Sequence, residues 1–96
     1  MNSTVNVGFQ VIPLVSAENI YSVVDKAIAV VQESGVKYEV GALETVMEGE
    51  LDTLLDIVKR AQDACVQAGA TEVITNVKIH YRTEGVSMDE KLARYR

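Results

Sequence analysis

Few residues in this chain could do covalent or metal chemistry. There is one cysteine, Cys65, and one histidine, His80. A single thiol permits no internal disulfide, and one thiol with one imidazole cannot complete a zinc site. Cys65 falls on the apolar spacing of a predicted helix, where a free cysteine serves as a small core residue. His80 stands alone on a predicted strand, at a surface or an interface. The acid pairs, Glu48 with Glu50 and Asp89 with Glu90, sit at predicted helix starts, where carboxylates complement the positive end of the helix dipole. The six glycines are scattered at element ends, so no phosphate-cradling loop is present. No nucleophile and base come together, and the expectation is a protein that is not an enzyme.

One polar set is more informative. Alternation along the first strand places Asn6, Gly8 and Gln10 on one side, and alternation along the last places Ile74, Asn76, Lys78, His80 and Arg82 on one side. Amides beside a lysine, with a glycine giving access to backbone, can hydrogen-bond a planar heterocycle. The same set also suits a solvated sheet face or one covered by another subunit. If Leu43, Thr45 and Met47 face the helices, Glu48 joins this set near Lys78; a one-residue bulge would reverse the choice. Glu48 then either pairs with Lys78 across the sheet or binds a ligand, because a carboxylate can meet an aminopyrimidine edge or a cationic ring.

The elements that must position these residues follow from periodicity. From Thr4 to Pro13, Val5, Val7, Phe9 and Val11 alternate with Asn6, Gly8 and Gln10, the period of a half-buried strand. Ser16 is placed to cap a helix that runs to about Ser34 and stops at Gly35, with the stripe Ile20, Val23, Val24, Ala27, Ile28 and Val31. Val36 to about Ala42 and Leu43 to Glu48 read as a pair of strands. A second helix follows Gly49, carries the stripe Leu51, Leu54, Leu55, Val58, Ala61, Cys65 and Ala68, and ends at Gly69. Thr71 to Thr83 is the last strand. Ser87-Met88-Asp89-Glu90 fits a capping box for a short C-terminal helix, whose Met88, Leu92 and Tyr95 need a surface to dock on.

The order is therefore βαββαβ with a tail. A shift of 34 positions carries Ile20 onto Leu54, Val24 onto Val58, Ala27 onto Ala61, Val31 onto Cys65 and Gly35 onto Gly69. Duplicated βαβ halves predict a single α+β, ferredoxin-like sandwich over residues 1–96, with strand order 4-1-3-2, both helices on one sheet face and the other face open.

Composition limits the partners. Hydrophobic residues make up 48% of the chain and charged residues 24%, with a net charge of −5. That sign opposes binding to nucleic acid or anionic lipid. RNA binding of the kind that stacks bases on a sheet also needs aromatics on the open face, and Phe9 falls on the other side. No apolar run approaches the roughly 18 residues of a membrane span. The start of the chain lacks the basic region of a signal peptide, and a free Cys65 fits the cytoplasm.

At these residues the chain resembles a family of small, single-domain, ferredoxin-like thiamine-binding proteins. The resemblance runs from Val7–Leu14 to the C-terminal helix. It is carried by Glu33-Ser34-Gly35-Val36-Lys37-Tyr38-Glu39, by Thr45-Val46-Met47-Glu48-Gly49-Glu50-Leu51-Asp52, by Lys78-Ile79 and by Met88-Asp89-Glu90-Lys91. It implies non-catalytic binding of thiamine or its hydroxymethylpyrimidine part, no other cofactor, and a homotetramer built from dimers. Thr45 and Glu48 match the family's third-strand motif, and Lys78 matches its fourth-strand lysine. The loop Pro13-Leu14-Val15-Ser16-Ala17-Glu18 has fewer small hydroxyls than the family pattern, leaving Ser16 as its ligand contact. His80-Tyr81-Arg82 stands where the family often carries acids. With Gln10 and Asn76 from the polar face, the expected ligand-binding set is Gln10, Ser16, Thr45, Glu48, Asn76 and Lys78. The expected role is carrier, buffer or sensor. The alternative is a regulatory interaction module whose open sheet face contacts a protein partner.

Overall fold

The computed structural model describes residues 3–96 and has the expected βαββαβ order. The strands are β1 (Thr4–Pro13), β2 (Lys37–Val40), β3 (Thr45–Glu50) and β4 (Val73–His80). The helices are α1 (Ile20–Glu33), α2 (Leu51–Gln67) and a short α3 (Met88–Leu92), which a 3-10 turn at Ala93–Tyr95 extends. The strands form one sheet in the order β2-β3-β1-β4, with every pairing antiparallel. This ferredoxin-like arrangement is the predicted strand order read from the opposite edge.

Alternation on β1 decides the layers. Val5, Val7 and Phe9 point toward the helices and are buried with Met47 of β3, against Val23, Ala27 and Val31 of α1 and Leu54, Ile57, Ala61 and Cys65 of α2. Burial pushes the Cys65 thiol pKa up, which favours an inert core thiol. The duplicated halves are visible in space: Ala27 and Ala61 are both buried, as are Val31 and Cys65. Gly35 and Gly69 both leave their helices at positive φ, at 84° and 114°, a conformation that costs a residue with a Cβ.

Several boundaries differ from the sequence reading. Helix α1 does not start at Ser16. The Ser16 hydroxyl instead accepts the Asn19 side-chain amide at 2.9 Å, and its carbonyl accepts the Asn19 N–H at 2.9 Å. This closed turn delays the helix to Ile20, with Asn19 at the cap position. The β2–β3 hairpin is shorter than expected because the Gly41 N–H bonds the Glu44 carbonyl, and Leu43 is left 80% exposed in the turn. Strand β3 runs on to Glu50, which is also the N-cap residue of α2. Strand β4 ends at His80, opposite Asn6. Beyond it the chain turns through Gly85, at φ 89°, and the Val86 N–H bonds the Thr4 carbonyl.

That turn sends α3 across the sheet face expected to be open. The Ser87 hydroxyl accepts the Glu90 N–H, as the capping box requires. Lys37 of β2 pairs with Asp89, while Arg96 pairs with Asp89 at 3.2 Å and with Glu39 at 2.7 Å. Met88 is buried, Leu92 is half-buried and Tyr95 stays exposed. The second sheet face is thus roofed over part of its area.

Candidate functional site

Pairing places the polar face in rows. Asn6 lies between Glu48 and His80, Gly8 between Val46 and Lys78, and Gln10 opposite Asn76. On β2, Lys37 stands beside Glu48 and Glu39 beside Val46. Glu48 therefore lies on the same face as Lys78, and no bulge reverses it. Between these rows and the underside of α3 is a cavity of about 330 Å³, near the lower end for a small-molecule site. Its floor includes Asn6, Gly8 and Val46, its sides include Lys78 and His80, and Met88, Lys91 and Leu92 form the roof.

Asn6 is the most constrained polar group beside this cavity. It is 4% exposed, and its Nδ2 donates to Glu48 Oε1 at 3.3 Å. A reversed amide would set its oxygen against that carboxylate, so the bond orients the side chain. Asn6 Oδ1 is then left buried without a donor, a situation that costs about 1–3 kcal/mol in a folded protein. Gly8 supplies the second feature. A Cβ there would collide with Glu44 Oε2, so the missing side chain is what lets the Glu44 carboxylate lie across β1. Lys78, on the far side of Gly8, meets Glu44 Oε1 at 2.8 Å.

The Glu48–Lys78 ion pair considered from the sequence is not formed. Glu48 Oε1 accepts the backbone N–H of Met88 at 2.6 Å as well as the Asn6 amide. Glu48 thus caps α3 and holds it to the sheet, and Lys78 takes Glu44 instead.

The six expected ligand residues do not converge on one point. Lys78 lines the cavity beneath α3. Glu48 lies at its back, facing a shallow depression beside Ser87. Thr45 points to the helix side, 7% exposed. It shares with Gln10 a separate apolar cleft of about 340 Å³ between α1 and the β2–β3 turn. Asn76 stands on the uncovered end of the polar face, opposite Gln10, and Ser16 is engaged with Asn19. The cavity under α3 adds residues outside that set: Asn6, Gly8, Glu44 and the α3 side chains. Parity was a usable signal for Glu44, since residues 44, 46 and 48 must share a face. Among the described residues no cluster of three or more His, Cys, Asp or Glu side chains could hold a metal ion. Nor is any helix long and apolar enough to cross a membrane.

Related proteins share this architecture. The model of a family described as thiamine-binding protein matches residues 7–96. The chain belongs to that family. A UPF0045 protein of Clostridium perfringens is 50% identical over 93 residues, covering 97% of this chain and 98% of the relative. Among solved structures, a domain of unknown function DUF77 from Bacillus cereus is similar at 62% identity with a TM-score of 0.95, covering 99% of this chain and 92% of that one. A Thermotoga maritima protein provisionally assigned to thiamine biosynthesis or salvage is similar at 33% identity and TM-score 0.90, covering 97% and 99%. Family membership thus points to a thiamine-related role and a small-molecule ligand.

Proposed function

We propose that the protein binds thiamine or its hydroxymethylpyrimidine part without chemically altering it, in the cavity between the polar sheet face and α3. It would act as a carrier, buffer or sensor of that compound. The observation that carries this reading is the buried Asn6 Oδ1 with no donor, oriented by Glu48 beside a cavity of ligand size. An aminopyrimidine supplies the N–H that this oxygen lacks. The family match and the T. maritima relative's provisional assignment support the choice of ligand. Since Oδ1 is shut off from water, binding requires a small adjustment beside it. The outer part of α3, held by ion pairs between exposed side chains, suits such a movement while the Met88 N–H stays tied to Glu48.

Calorimetry with thiamine and with hydroxymethylpyrimidine tests this reading. The expected result is saturable binding of at least one of them, weakened in Asn6→Leu. Absence of binding at millimolar ligand would sink it. Self-association into a homotetramer built from dimers, in the cytoplasm, belongs to the same proposal. It is supported by an unpaired outer edge on β4 and by Ile12 and Ile74, paired with each other and exposed at the uncovered end of the sheet.

A further inference from the structure

The carboxylates around the cavity differ in what already holds them. Glu39 is held by Arg96, Glu48 by Asn6 and the Met88 N–H, and Asp89 by Lys37 and Arg96. Among the described residues, Glu44 is held by Lys78 alone. That pair is lopsided: the Glu44 side chain is 30% exposed and Lys78 is 78% exposed. The carboxylate is thus largely withdrawn from water, while its counter-ion is a solvated, flexible chain end that can swing away without moving a strand.

We infer that Glu44 makes this cavity select ligands carrying a fixed positive charge, which displace Lys78 and take its place against the carboxylate. This inference rests on the ligand reading above and adds a specificity residue to it. Gly8 is part of the device, because a Cβ there would collide with the Glu44 carboxylate in the position where it now crosses β1. Asn6 and Gly8 are two residues apart on one strand face, about 6.5–7 Å. A ligand presenting an N–H donor to Asn6 and a cationic centre to Glu44 at about that spacing satisfies both acceptors. Lys91, exposed on α3, also lines the cavity and repels a cation near it, so the ligand's charge seats against Glu44 rather than under the roof.

The test measures binding constants for thiamine, a permanent cation, and for neutral hydroxymethylpyrimidine on three proteins: the native chain, Glu44→Gln and Lys78→Met. Melting temperatures serve as the folding control. Glu44→Gln should weaken thiamine about 10-fold or more, the loss of one charge-assisted contact, and change hydroxymethylpyrimidine by less than about 2-fold. Lys78→Met removes the competing cation and should strengthen thiamine while leaving the neutral ligand unchanged. If both ligands bind the native chain but respond equally to Glu44→Gln, or if Lys78→Met weakens thiamine, the selectivity role is wrong and the ligand reading survives. If the native chain binds neither ligand, both fall together.

Discussion

At the scale of single residues, Glu48 illustrates how one carboxylate can be committed before any ligand arrives. Its Oε1 receives the Met88 N–H and the Asn6 amide, so it fixes a helix start and the orientation of an amide at once. Removing it should therefore be felt as stability. Glu48→Ala should cost about 1–3 kcal/mol in urea denaturation, because it strands a part-buried N–H and frees the Asn6 side chain. Glu48→Gln keeps an acceptor oxygen and should cost clearly less. Equal and negligible costs for both would show that the α3 cap contributes nothing. Strand alternation left the facing of Glu48 conditional on the absence of a bulge, and the unbroken β1–β3 register put it on the polar face. Its partner was not legible either, because the choice between Lys78 and Met88 depends on where a segment forty positions away comes to rest.

Among the elements, α3 is the one whose place the local pattern leaves open. A capping box at Ser87 and the apolar Met88 and Leu92 declare a helix, and Glu48, Lys37 and Glu39 on the sheet decide where it lies. Its ion pairs carry a pH signature. The Lys37 ammonium, by hydrogen bond and by charge, and then Arg96, hold the Asp89 carboxyl below the usual carboxylate range. A depressed folded-state pKa stabilises docking above the ordinary aspartate value, and that contribution disappears as pH falls through the folded value. Amide exchange protection of residues 86–95 should accordingly weaken below about pH 4 relative to the core. Asp89→Asn should lower protection at neutral pH and shrink the difference between neutral and acid conditions. Protection that is flat from pH 5 to strongly acid conditions in the native chain would count against it.

For the whole molecule, the sandwich leaves apolar surface that its own elements do not cover. Val77 and Ile79 on the edge strand β4 are 40% and 47% exposed, and Ile12 and Ile74 lie at the uncovered end of the polar face. Symmetric assembly would bury such area. Light scattering at micromolar concentration should give a multiple of 10.5 kDa, and the tetramer mass if the proposed assembly holds; a monomer mass would refute it. The chain by itself determined the layers and their order. Strand alternation, two helical stripes 34 positions apart and the glycines at their ends are local, periodic signals that a hydrophobic core reads directly. It also determined which residues of β1 and β4 populate the polar face. Only the tertiary structure decided which of them meet. Thr45 and Gln10 went to a different cleft from Lys78, Glu44 displaced Glu48 as the partner of Lys78, and Asn6 became a buried amide beneath α3. Those outcomes turn on contacts between segments far apart in sequence and on the turn at Gly85, and periodicity carries no information about either.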